Sequence, residues 1–181
     1  LMRSPGVFFD MKIHPNGTKL YSARLIPFRG SWLDITTDIH DVIYAVIDRR
    51  RKFPISLLLR AMKFSTNESI LSAFGVIREL RLADNVGLKA FYDTPVPVDV
   101  VNKETGEILM EAGDKLTKEK VRELKKEGVG GVMVVTDPED IAYDLLANTL
   151  AKDRSSDTNE ALRVFYTEMR GGEPPNLDLA E

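Results

Sequence analysis

Over roughly the first fifty residues, apolar positions come in short β-branched or aromatic runs separated by turn residues, which is the pattern of strands rather than helices. Val7-Phe8-Phe9 and Lys19-Leu-Tyr-Ser-Ala-Arg-Leu-Ile26 flank His14-Pro15-Asn16-Gly17. Asn-Gly between apolar runs predicts a hairpin, because both residues tolerate positive φ. After Pro27-Phe28-Arg29-Gly30 a second pair is predicted, Trp32 to Thr36 and Val42 to Ile47, with the polar residues 37–41 between them. The reading is a meander of about four antiparallel strands over residues 5–51.

The period then changes. Pro54 suits a first helical position, and Ile55, Leu58, Leu59 and Met62 recur at helical spacing. Ser65-Thr66-Asn67-Glu68 reads as a capping box that starts a second helix, with Ile70, Leu71, Phe74, Ile77 and Leu80 as its apolar face. Both helices are expected to cover the meander. Residues 84–135 read as a small α+β subdomain, in which Thr117 caps a helix through Glu127, Gly128 ends it and Gly131–Val135 is a strand. Asp137-Pro138-Glu139-Asp140 starts another helix, with a cap, proline at the first position and acids against the dipole. Lys152 to Asp157 breaks it, and Thr158 restarts a helix bearing Leu162, Phe165, Tyr166 and Met169 that Gly171-Gly172 ends. The fold class is α+β: an antiparallel strand meander covered by helices, with a small inserted α+β subdomain. Residues 1–83 and 136–181 form the core in this division, and 84–135 the insertion.

At 181 residues, with 43% hydrophobic and 29% charged residues, the chain has the composition of a globular protein with a real core. It has no cysteine, which excludes disulfides, thiolate metal sites and a cysteine nucleophile and fits a reducing cytoplasm. No apolar run reaches membrane-span length, and the start lacks a signal-peptide core, so no membrane association is expected. Because the chain opens in mid-motif without an initiator methionine at position 1, it is expected to be a piece of something longer. The net charge of −3 hides an asymmetry: residues 1–83 carry 13 Lys and Arg against 7 Asp and Glu, and the remainder 12 against 21. A polyanion would meet the basic front.

The residues offer no nucleophile paired with a base, no phosphate-cradling glycine loop and no familiar metal-ligand spacing, so no catalytic residue is assigned. Asp137, Glu139, Asp140 and Asp144 could be imagined on Mg²⁺, but helix capping accounts for the first three, and no metal site is assigned. Nucleic-acid binding fits better. Arg3, Arg29, Arg49, Arg50, Arg51 and Lys52 supply cations for phosphate or guanine contacts, and Trp32, the only tryptophan, could stack on an unpaired base or serve the sheet's core. The residues alone leave both roles of Trp32 open.

Arg3-Ser-Pro-Gly-Val-Phe-Phe-Asp10, Arg29-Gly-Ser-Trp-Leu-Asp34, Ile47-Asp-Arg-Arg-Arg-Lys52 and Met169-Arg-Gly-Gly-Glu-Pro-Pro175 occur in that order. Together they resemble the β subunit of bacterial DNA-directed RNA polymerase, in the part called the lobe. The resemblance covers residues 1 to about 83 and about 153 to 181, and the middle looks like that subunit's variable insertion. It implies a lobe lining the downstream DNA cleft, within a nucleotidyltransferase whose catalytic Mg²⁺ is held by another subunit. No cofactor is therefore expected on this chain. Partners implied are DNA, the β′ and α subunits, σ factor and possible transcription factors at the insertion. By the same resemblance, Trp32 stacks on a non-template base and Arg3 helps form a guanine pocket. Asp48, Arg49, Arg50 and Arg51 lie near the same DNA, and Arg170 lies beside the non-template strand. Gly172 stands where many relatives have proline, and nothing functional transfers to residues 84–150. The alternative is a free-standing regulatory protein-interaction domain whose basic patch is incidental.

Overall fold

In the computed structural model, which describes residues 4–170, the front of the chain forms a five-stranded antiparallel sheet in sequence order. Its strands are β1 (Gly6–Ile13), β2 (Lys19–Ile26), β3 (Leu33–Thr37), β4 (Ile43–Ile47) and β5 (Arg51–Pro54). The first hairpin is the predicted one: His14 N–H donates to the Thr18 carbonyl at 2.9 Å, and Gly17 takes φ +88°. The fifth strand was not anticipated. Asp48 and Arg49 take φ of +50° and +59°, two successive left-handed residues of the kind a type I′ turn needs. The chain therefore reverses inside the charged run, and Arg51–Pro54 pairs with Tyr44–Ile47.

Alternation along the strands sends Leu33, Ile35, Ala45 and Phe53 to one face. Helices α1 (Ile55–Ala61) and α6 (Thr158–Arg170) cover it, where Ala45 and Ala161 are fully buried and Phe53 meets Phe165 edge to face at 5.5 Å between ring centroids. On β1 the same face carries Val7, Phe9, Met11 and Ile13, all exposed. Pro54 acts as the N-cap of α1 rather than its first residue.

Helix α2 (Asn67–Ala73) departs from expectation in three ways. No residue of it belongs to the cluster under the sheet, so the second covering helix comes from the far end of the chain. Its cap lies one residue later than read: Thr66 Oγ1 accepts Ser69 N–H at 3.1 Å and Ser69 Oγ accepts Thr66 N–H at 3.1 Å. The Ser65 hydroxyl instead accepts Thr158 N–H at 3.0 Å. Finally, the helix stops at Ala73. Gly75 takes φ +67°, Val76 N–H closes on the Leu71 carbonyl at 3.3 Å, and the expected helical face from Ile77 to Leu80 becomes β6 (Ile77–Arg81).

A buried polar cluster ties the two ends of the chain together. The side chains of Arg60 and Asp153, 3% and 2% exposed, meet at 3.2 Å, and Ser56 Oγ donates to Asp153 at 2.7 Å. Arg60 also donates to the Ser65 carbonyl at 2.7 Å. On α5 (Ile141–Lys152), fully buried Thr149 accepts Ile43 N–H at 2.9 Å and donates to the Leu145 carbonyl at 2.6 Å. Asp137-Pro138-Glu139-Asp140 forms a turn before that helix rather than its first turn. Asp137 Oδ1 accepts Glu139 N–H at 3.0 Å and Asp140 Oδ1 accepts Ala142 N–H at 2.9 Å.

The chain divides into two compact units, residues 71–143 and the remainder. In the first of these, β6 pairs with β9 (Gly131–Val135), and β7 (Val100–Val101) pairs with β8 (Ile108–Met110). With α3 (Asn85–Lys89) and α4 (Lys118–Lys126) they enclose Leu82, Leu88, Leu116, Leu124 and Val132. Thr117 caps α4 and Gly128, at φ +78°, ends it, both as read from the sequence. The unit is wider than residues 84–135 because β9 takes β6 as its partner. Its chain enters and leaves side by side, with Thr136 N–H donating to the Val76 carbonyl at 2.9 Å.

Candidate nucleic-acid interface

Two connections meet at one end of the five-stranded sheet: residues 27–32, between β2 and β3, and the turn 48–50, between β4 and β5. Register places them side by side, since Leu33 pairs with both Leu25 and Ile47. Asp48 joins them. Its carboxylate accepts Trp32 N–H at 3.1 Å, and its own N–H donates to the Trp32 carbonyl at 3.1 Å. Asp48 thus anchors the tryptophan's backbone, a use that its place in a charged run does not reveal.

Trp32 immediately precedes β3, is half-buried and lies outside the core cluster. Two guanidiniums approach its ring: the Arg24 Cζ lies 5.3 Å from the centroid and the Arg49 Cζ 5.6 Å, both within cation–π range. Arg24 is also paired with Asp34, Nε to Oδ1 at 2.7 Å and Nη2 to Oδ2 at 3.1 Å. The hydrogen bond to Asp34, reinforced by its charge and opposed by burial, raises the Arg24 pKa further above its ordinary value. Phe28 and Arg29, in the same connection, are exposed.

The cationic run does not act as one patch. Arg49 and Arg50 lie on the exposed turn, and Arg49 turns to Trp32. Arg51 points back to α6, where its Nη1 donates to the Met169 carbonyl and lies 3.4 Å from the Met169 sulfur. Lys52, one residue further and on the opposite face, sets its Nζ 4.2 Å from the centroid of the Tyr44 ring. Arg170 closes α6 with its Cζ 5.3 Å from the centroid of Tyr166. The structure therefore brings Trp32, Asp48 and Arg49 together, and ties Arg51 to the helix that ends in Arg170. Arg3 lies outside the described residues.

Arg24 and Asp34 are the residues that reading the sequence for nucleic-acid contacts passed over. Their signal is weak: opposite charges on outward-facing positions of neighbouring strands, visible only once the register is known. Among the described residues, no group of three or more His, Asp or Glu is placed to hold a metal ion, and no helix is long and apolar enough to cross a membrane.

Comparison with known proteins places the chain in a family. Residues 3–83 match the family model RNA polymerase Rpb2, domain 2. A DNA-directed RNA polymerase subunit beta from Porphyromonas cangingivalis is 37% identical over 190 residues, covering 95% of this chain and 15% of its own length. Its counterparts from Flavobacterium psychrophilum and Salinibacter ruber are 36% and 38% identical over 99% of the chain. The chain belongs to the bacterial RNA polymerase β-subunit family. It spans about 15% of the length of these relatives. The aligned span runs through the middle unit.

Proposed function

We propose that this chain is the lobe module of a bacterial RNA polymerase β subunit. In this reading it lines the downstream DNA cleft and contacts the non-template strand through Trp32, with Arg49 and Arg50 supplying positive charge beside the ring, Arg51 and Arg170 supplying it separately at the end of α6, and Arg3 a guanine contact. The observation that carries it is the end of the sheet at which Trp32, outside the core, is anchored by Asp48 and flanked by Arg24 and Arg49. An indole held there offers a flat face on which an unpaired base stacks regardless of sequence, and the neighbouring guanidiniums complement phosphate. Synthesis itself, and the Mg²⁺ it uses, belong in this proposal to another subunit. DNA, β′, α and σ are the partners, transcription factors meet the middle unit, and the cytoplasm is the compartment.

The test is an assembled polymerase carrying Trp32→Ala in this segment. Open-complex lifetime should shorten by the equivalent of about 1–3 kcal/mol, the worth of one stacked base. An unchanged lifetime together with a destabilised fold would return Trp32 to a purely structural role and overturn the reading.

A further inference from the structure

Arg24 is the cation of the interface whose geometry is most constrained. It sits in register opposite Asp34, and their forked contact fixes the plane of the guanidinium as well as its position. That plane ends 5.3 Å from the centroid of Trp32. Arg49 reaches the same ring at 5.6 Å from an exposed turn. The two arginines are thus unlike. One is neutralised by a carboxylate and built into the sheet, whereas the other stands where a phosphate can compete for it.

We infer that Arg24 is a positioning residue for Trp32. Held by Asp34, it forms a fixed wall against the indole, so that the ring is presented to an unpaired base in one orientation. The inference rests on the reading of Trp32 as a stacking platform. Preorganising a flat, rigid side chain lowers the ordering cost when the base arrives, which is how a residue that touches no nucleic acid changes its retention. Because its charge is already matched by Asp34, Arg24 releases no counterions on binding and leaves the salt dependence unchanged.

The test uses the assembled polymerase with 2-aminopurine at the unpaired non-template position, whose fluorescence falls when the base stacks on an aromatic ring. Trp32→Ala should abolish that quenching; if quenching persists, the platform reading fails and this inference fails with it. With Trp32 in place, Arg24→Gln and Asp34→Asn should each weaken base retention by about two- to fivefold, the worth of an exposed cation–π contact. In Arg24→Gln the slope of retention against salt should stay the same, whereas Asp34→Asn frees the Arg24 charge and carries no such expectation. In a Trp32→Ala background the same two substitutions should have no further effect, as for residues acting through one group. Should Arg24→Gln fail to fold, Arg24→Lys keeps the charge, loses the fork and carries the same comparison. Losses that add to Trp32→Ala, or a salt slope lowered by about one unit in Arg24→Gln, would make Arg24 a direct DNA contact and overturn the positioning role. Full quenching and unchanged retention in Arg24→Gln and in Arg24→Lys would also overturn the positioning role.

Discussion

The two left-handed residues at the tip of the β4–β5 hairpin separate folding from binding. A side chain at positive φ costs on the order of 1 kcal/mol that glycine does not, so Arg49→Gly should melt at or above the parent temperature. The same change removes a cation from the Trp32 ring, so DNA retention in the assembled enzyme should fall. A lower melting temperature in a thermal scan would show that the Arg49 side chain itself holds the turn. Tyr44, on the opposite face from the core, makes a second prediction. Burial, and then the charge of Asp38, raise its pKa above the ordinary tyrosine value. A folded-state pKa above the unfolded one means that the stability present below the unfolded value is lost as pH rises through the folded value. Denaturant unfolding between about pH 9 and pH 11 should show that loss, and Tyr44→Phe should make it shallower. Equal slopes in both proteins would remove Tyr44 from the account.

Among the elements, α1 is short, and its attachment depends on partners distant in the chain. Its Arg60 is buried against Asp153, beyond the middle unit, and a buried charge that loses its partner typically costs about 3–5 kcal/mol. Asp153→Ala should therefore be severely destabilising, whereas Arg60→Met combined with Asp153→Leu should recover much of the loss. If the double variant is no better than Asp153→Ala in urea unfolding, the hydrogen bonds to Ser56 and the Ser65 carbonyl matter more than the uncompensated charge. The register of α2 belongs to the same network. Ser65 and Thr66 are both competent caps, and Ser65 is unavailable because its hydroxyl accepts Thr158 N–H. Local propensity could not choose between them, but a contact 93 residues away did. By contrast, the first hairpin and α4 carry their own stop signals, and both were legible from Asn16-Gly17, Thr117 and Gly128.

For the whole molecule, the hydrogen bond between Val76 and Thr136 marks where the middle unit can be excised. Replacing residues 77–135 with a short glycine linker should leave a cooperatively melting protein, because the two ends to be joined are already neighbours. Removing only 85–135, the segment marked by the change in sequence character, should do worse. It leaves β6 without β9 and uncovers Ile77, Leu80 and Leu82, all buried in the intact chain. Differential scanning calorimetry of the two variants side by side distinguishes these outcomes. A sharp transition for the shorter deletion and none for the longer would place β6 with the five-stranded sheet unit instead.

The sequence alone determined what is local: alternation for strands, helical spacing after Pro54, and turn and cap chemistry at Gly17, Thr117 and Gly128. It also contained the ordered motifs that resemble the polymerase β subunit, because such motifs are read without knowing the fold. Tertiary structure decided what depends on partners far apart in the chain. It turned the cationic run into a hairpin, so that Arg49 faces Trp32 while Arg51 turns to α6. It ended α2 early and made the residues from Ile77 onward into β6, paired with β9, since a strand partner satisfies backbone groups that an isolated helical turn cannot. It also revealed Arg24 and Asp34, whose pairing exists only across a register. A charge pattern along a chain shows which groups are present; which of them meet is settled by how the strands are aligned.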